Sequence, residues 1–315
     1  MTELEKIKYK PISVREALTR MKDLSELMID LAYSAALFHS HELADEVLEL
    51  EEEVDTLAYL LDMNAMIAAR DARDAEDLVG IAVVAAATNK ISDAAADIAV
   101  LVRREIGVHP IVREAFKEME EQITRVEVKP TSTLMKKSLG ELELAARIGV
   151  DIIALHRDKE WIINPSEDQI IVEGDILIAR GAPLGIEKLM GYAHGTIKEF
   201  EQLERGGKTT LPTKEPFKKI VRKLVSLKDT SELMMDLAYS SLLLNSQELA
   251  KEVQILEERM DDLHTEFELL VLSSGFTPEE SKDFLGLIRL GVVTEKIADA
   301  ATEIADVVLR GLEPH

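Results

Sequence analysis

The sequence predicts an α+β protein in which two three-helix bundles flank a small mixed α/β domain. Two observations carry that expectation. The stretch SELMIDLAYS at Ser25–Ser34 returns almost unchanged as SELMMDLAYS at Ser231–Ser240, and the two copies stay aligned without a gap, at an offset of 206 residues, down to VGIAVVAAATNKISDAAADIA against LGLIRLGVVTEKIADAATEIA. Between the copies, from about residue 122 to 191, the apolar pattern shortens into alternating runs punctuated by glycine and aspartate, which is the signature of strands and tight turns.

Each copy reads as three antiparallel helices. Leu24, Leu27, Met28, Leu31, Ala35 and Phe38 recur at three- and four-residue steps, as do Leu43, Val47, Leu50, Val54, Leu57 and Leu61, and then Ile91, Ala94, Ile98, Leu101 and Val102. That spacing places each set on one helix face. Ser40 and Ser246 are N-cap candidates, because a serine hydroxyl accepts from the free N–H groups of a first helical turn. Gly275 followed by Thr277-Pro278-Glu279-Glu280 reads as a helix stop and a restart.

The middle segment opens with ITRVEVK as a half-buried strand. Ser138-Leu139-Gly140-Glu141 is a capping box for a short helix that Gly149 closes. VDIIALH and EWIIN follow as strands around an Asp158-Lys159 turn. Gly174-Asp175 lead into the strand ILIAR, and Pro183 starts a last helix. The order is strand, helix, three strands, helix. Residues 1–112 and 217–315 are thus assigned to the helical copies, 113–200 to the middle domain and 201–216 to a Gly-, Lys- and Thr-rich linker.

The bulk composition narrows the partners. A net charge of -23 on 315 residues repels nucleic-acid phosphates and anionic lipid. Without cysteine there are no disulfides or thiolate metal sites, and a cytoplasmic setting is expected. No uninterrupted apolar run approaches the roughly 20 residues of a membrane span, so work at a membrane calls for docking onto a membrane protein rather than insertion.

Both helical copies resemble the PhoU family, through Asn89-Lys90-Ile91-Ser92-Asp93-Ala94-Ala95-Ala96-Asp97-Ile98-Ala99 and its counterpart Glu295–Ala305, and through an E-x-x-x-D pair on the second helix. The middle segment resembles the TrkA-C domain, the C-terminal domain of RCK regulators. The matching stretches are Ser138–Leu142, Gly149–Arg157 and Glu173-Gly174-Asp175-Ile176-Leu177-Ile178-Ala179-Arg180-Gly181. The G-x-G-x-x-G of a full RCK unit is absent. These resemblances imply a regulatory subunit of cation transport, with potassium foremost. Its TrkA-C-like domain would sense a small ligand, in some relatives a cyclic dinucleotide, at a dimer interface. A homodimer attached to a membrane cation transporter or channel is implied. The alternative they imply is a PhoU-type, metal-binding regulator of phosphate uptake or signalling.

Several residues are candidates for chemistry. Helix positions four apart share a face about 5–6 Å apart. Glu51/Asp55 and Asp93/Asp97, with Glu257/Asp261 and Asp299/Glu303 in the second copy, can therefore offer paired oxygens to a divalent metal. The competing reading is acids that are solvated or salt-bridged to Lys90 and Lys296. In the middle domain, Ile153, Ala154 and Arg157 at one strand and Asn164 and Pro165 at the next strand's end suit an anionic ligand such as a phosphate ester; the cyclic dinucleotide is what the resemblance implies, and the competing reading makes Ile153 core, Arg157 a solvated turn residue and Pro165 a simple turn. His39 and His41, which flank Ser40, and His264, which shares a helix face with Glu268, are further candidate ligands, against the default reading of surface or half-buried histidines. Glu204–Thr209 lacks the first glycine of a P-loop, and no catalytic motif is present, so an enzyme is not expected.

Overall fold

The structure is a computed structural model, and it describes residues 8–106, 122–158, 160–163, 165–198, 215–274 and 281–312. Residues 201–214 of the expected linker, the near P-loop at 204–209, Lys159 of the expected turn, the helix restart at 275–280 and the ligand candidate Asn164 lie outside the described residues, while the last two linker positions, 215 and 216, already belong to the helix that begins at Glu215.

The chain divides into two compact units. The helical unit contains α1 (Val14–Phe38), α2 (His41–Ala68) and α3 (Ala72–Arg103), together with α7 (Glu215–Leu244), α8 (Gln247–Ser273) and α9 (Ser281–Leu309). The second unit contains β1 (Gln122–Glu127), α4 (Leu139–Leu142), α5 (Leu144–Ile148), β2 (Val150–Arg157), β3 (Glu160–Ile163), β4 (Ile176–Gly181) and α6 (Pro183–His194).

The predicted caps form. The Ser40 and Ser246 hydroxyls accept from the Leu43 and Leu249 amides at 3.3 and 3.4 Å. Leu24, Leu27, Met28, Leu31, Leu50, Val54, Leu61, Ile91 and Ile98 are buried, while Leu101 is half-buried. Within each repeat the three helices pack on one another, and α3 of the first repeat lies against α9 of the second. Pairing of the repeats, which the sequence left open between one chain and two, occurs inside one chain. The segment Leu78–Arg103 of α3 is long and apolar enough to cross a membrane (mean hydropathy 1.3), yet 56% of its apolar window is buried inside the protein. Its small residues Ala85, Ala87, Ala94, Ala95 and Ala99 are covered by neighbouring helices, as the core helix of a paired bundle requires.

In the second unit the sheet is antiparallel throughout, in the order β1-β4-β2-β3. The register of β2 on β4 shifts between Ile152 and Ala154, which leaves Ile153 as the extra residue of a bulge. The single short helix expected after Ser138 is two: Glu143, at φ 46°, breaks it into α4 and α5. The Ser138–Glu141 capping box forms, with Glu141 N–H to Ser138 Oγ at 3.2 Å and Ser138 N–H to Glu141 Oε2 at 2.9 Å. Gly149, at φ 64°, closes α5 in the left-handed region that glycine enters freely. Val126, Leu142, Val150, Leu155, Leu177, Leu189 and Tyr192 form the core beneath α6.

Candidate functional site

The helical unit gathers the predicted carboxylates into two faces related by the repeat. The first lies on α2 and α3. Burial, and then the negative charges of Asp93, Asp55 and Asp97, push the Glu51 carboxyl above its usual range. Burial, and then Asp55 and Asp97, do the same to Asp93, against the opposing pull of Lys296. On α8 and α9, burial raises Glu257, helped by Asp299 and Asp261. Burial also raises Asp299, helped by Glu295, Asp261 and Glu303 and opposed by Lys90. Among the described residues the eight carboxylates do not close into a three-donor group within 4.8 Å.

Lys90 and Lys296 do not bridge to the aspartates of their own helices. Each crosses to the other repeat: Lys90 Nζ reaches Glu303 Oε1 at 2.6 Å, and Lys296 Nζ reaches Asp97 Oδ2 at 2.9 Å. The exchange follows from packing α3 against α9 about a pseudo-twofold axis, which brings the partner helix's acid within reach.

Deeper along the same axis lies a polar ladder that sequence reasoning missed. Tyr33 on α1 hydrogen-bonds Thr294 on α9, and Tyr239 on α7 hydrogen-bonds Thr88 on α3. The Thr294 and Thr88 hydroxyls already donate to the carbonyls of Leu290 and Val84, at 2.7 and 2.8 Å. Each tyrosine is therefore the donor in its pair, and both threonines and both tyrosines are buried. Lys228 on α7 binds Asp30 on α1 at 2.9 Å and Glu232 at 2.5 Å. Its repeat mate Lys22 binds Glu26 and, at 3.2 Å, Asp236. Each lysine also sits 5.9 Å from the ring centre of the opposite repeat's tyrosine, Lys22 over Tyr239 and Lys228 over Tyr33. Burial pushes the Glu26 carboxyl up to about 7, with Lys22 opposing and Asp236 assisting. Burial likewise pushes Glu232 up to about 7, with Lys228 opposing and Asp30 assisting. The signal was present in the sequence. Lys22, Glu26, Asp30 and Tyr33 recur as Lys228, Glu232, Asp236 and Tyr239 on or beside the apolar stripe, where polar residues are costly unless paired.

In the second unit, Arg157 is neither a solvated turn residue nor a free cation. Its guanidinium forks onto Asp175, with both N···O distances 2.7 Å, and reaches the Ile170 carbonyl at 2.8 Å. Asp175 is fully buried and also accepts from the Val172 amide at 2.8 Å. Asp175 thus fixes the turn into β4, and the pair raises the Arg157 pKa. Ala154 is buried and paired with Ile163 and Ile178, whereas Ile153 and Pro165 are part-exposed. His264 is buried, with Nδ1 2.9 Å from Glu295 Oε2 and Nε2 3.6 Å from Glu268 Oε1.

A tandem helical repeat interrupted by a domain with a four-stranded antiparallel sheet defines the class. The PhoU domain matches residues 18–102 and 224–308, and the TrkA-C domain matches 123–194. The chain belongs to the PhoU family, with a TrkA-C domain between its two PhoU domains. It is 33% identical over 73 residues to the Ktr system potassium uptake protein C of Bacillus subtilis (strain 168), a match that takes in 23% of this chain and 33% of that one. The chain therefore spans about a third of that relative's length. The crystal structure of PhoU from Pseudomonas aeruginosa overlays with a TM-score of 0.50 at 14% identity, covering 95% of this chain and 96% of the other, a likeness of fold.

Proposed function

We propose that the chain is a regulatory subunit of potassium uptake, cytoplasmic and held at the membrane by a transporter or channel partner. The observation that carries this reading is the 33% identity over 73 residues to a protein named for potassium uptake, alongside a TrkA-C domain in this chain. The TrkA-C domain senses a small anionic ligand, and a homodimer of the chain passes the change through its paired PhoU domains. A ligand does this only if it favours one of two arrangements. Because Arg157 is held by Asp175, ligand contact rests first on Ile153, at the bulge of β2, and on Pro165. Calorimetry of the full chain with cyclic dinucleotides tests the sensing step: binding is expected, and Ile153→Asp weakens it at least tenfold while circular dichroism is unchanged. Failure of a potassium transporter to co-purify from native membranes overturns the assignment to transport.

A second reading keeps one specific support, the two acid faces on which burial, and then the repulsion of neighbouring carboxylates, raises the pKa of Glu51, Asp93, Glu257 and Asp299. A divalent cation would relieve that repulsion after side-chain rotation, in a PhoU-type regulator of phosphate uptake. Elemental analysis of the purified chain, compared with Asp93→Asn and Asp299→Asn, decides it. Metal present in the parent and lost in both variants supports this reading, and its absence from the parent ends it.

A further inference from the structure

The clearest break in the repeat symmetry lies away from both acid faces. At the turn joining α1 to α2 and at the end of α3, three side chains converge. His39 Nε2 lies 2.9 Å from Glu105 Oε2, and His41 Nε2 lies 3.2 Å from Glu105 Oε1. The ring centres are 5.4 Å apart in an edge-on arrangement, and the three donor atoms all fall within 4.8 Å of one another.

The geometry points to a binding site for a divalent transition metal, with zinc as the reference ion, formed by His39, His41 and Glu105. Two imidazoles and one carboxylate suit zinc and its neighbours better than magnesium or calcium, which favour all-oxygen shells. Metal–ligand bonds near 2.0–2.2 Å in a tetrahedral site set donors roughly 3.3 Å apart. Both ring-to-carboxylate distances are close to that, and the two rings lie within 4.8 Å of each other at their donor atoms, so rotation of the side chains would let a cation replace the hydrogens now shared between the rings and the carboxylate. Three protein donors leave a position open to water or another ligand.

The backbone holds these donors in place. His39 is the left-handed cap of α1, its φ is 53°, and Ser40 N–H bonds the Ala35 carbonyl at 3.0 Å. Glu105 lies in the turn two residues past α3, with φ 56°, and the Ile106 amide bonds the Leu101 carbonyl at 3.0 Å. Nearby Arg103 pairs with Asp45 at 3.2 Å.

The second repeat supplies an internal control. The positions equivalent to His39, His41 and Glu105 are Asn245, Gln247 and Gly311. Asn245 has φ 48° and Gly311 has φ 65°, so the backbone takes the same left-handed conformations without these side chains. Glycine is the unstrained choice where Glu105 sits. A glutamate kept there, aimed at two histidines that are also missing from the other repeat, is better explained by a ligand than by the turn. A metal here would fasten the end of α3 to the α1–α2 turn.

The test uses the full chain stripped of metal, and the variant His39→Asn/His41→Gln/Glu105→Gly, which installs residues the second repeat already tolerates. Zinc titration followed by calorimetry, and by the ring ¹⁵N signals of the histidines, is expected to shift His39 and His41 in the parent. Affinity at that site should fall at least tenfold in the triple variant. Unmoved ring signals under excess zinc overturn the site. So does equal zinc affinity in parent and triple variant. Zinc binding that disappears in Asp93→Asn and Asp299→Asn but survives the triple change also overturns it, placing the ion on the acid faces instead. Because this site shares no ligand with those faces or with the TrkA-C domain, its failure leaves the transport reading standing.

Discussion

The buried ladder at the repeat axis and the exposed pairs above it are the same construction in two solvents. Each exchanges a lysine of one repeat for an acid of the other. Lys228 and Asp30 leave only 18% and 16% of their side chains exposed, while Lys90 and Glu303 leave 55% and 44%. Duplication supplied the geometry in both places, and burial decides what each pair is worth. In water an ion pair replaces hydration of nearly equal value. Inside a bundle, a charge that loses its partner keeps its desolvation penalty with nothing to offset it. The largest expected effect is therefore Lys228→Met, which leaves Asp30 and Glu232 facing each other without a cation. It should lower stability to urea by about 3 kcal/mol. Lys22→Met should cost clearly less, because Asp236 is 62% exposed and can rehydrate. Equal losses for the two would mean that solvent access does not separate the halves of the ladder.

The ladder also sets a pH dependence. Glu26 and Glu232 sit at about 7 in the folded chain, against about 4.3 for an unfolded glutamate. The folded state thus holds more protons than the unfolded state between those values, and stability falls as pH rises through that interval. The groups facing them are Lys22 and Asp236, and Lys228, Asp30 and Asp229. The two lysines are themselves raised and change charge only far above this window. Glu51, Asp93, Glu257 and Asp299 shift in the same direction and add to the slope. The depressed carboxyls of Asp74 and Glu127 act below it. Stability from urea unfolding at pH 5 and at pH 8 should differ by on the order of 5 kcal/mol, the higher value at pH 5. Glu26→Gln with Glu232→Gln should remove part of that difference and leave the part due to the acid faces. A slope unchanged by the double variant would show that both glutamates ionise normally.

Much of this arrangement was legible, and what was not has physical causes. The Ser40, Ser246 and Ser138 caps, the Gly149 stop and the core stripe of α2 depend on residues close in sequence, where spacing determines geometry. The break at Glu143 was missed because a left-handed glutamate carries no compositional mark. Arg157 was expected at a turn or a ligand because its partner Asp175 is fixed only once β2 lies beside β4. The Tyr33–Thr294 and Tyr239–Thr88 bonds join residues of opposite repeats, so no local window contains both ends. Each copy shows polar residues on an apolar stripe without naming what satisfies them. Glu105 was hidden for a related reason: His39 and His41 stand together at one turn, and Glu105 reaches them only from beyond the end of another helix.

The smallest effect belongs to the exposed exchange and tests the comparison from its weak side. Lys90→Ala removes the bridge to Glu303, and Lys296→Ala the bridge to Asp97. Surface ion pairs of this exposure contribute up to about 0.5 kcal/mol and weaken with salt. Each variant should lie within about 0.5 kcal/mol of the parent in urea denaturation, and the difference should shrink further in molar salt. Lys90 and Lys296 also damp the repulsion within the acid faces, lowering the Asp299 and Asp93 pKa values respectively. The double variant Lys90→Ala/Lys296→Ala should therefore lose more at pH 8, where those acids are ionised, than at pH 5. A loss as large as that of Lys228→Met, or one insensitive to salt, would mean that these lysines hold the two repeats together as firmly as the buried ladder does.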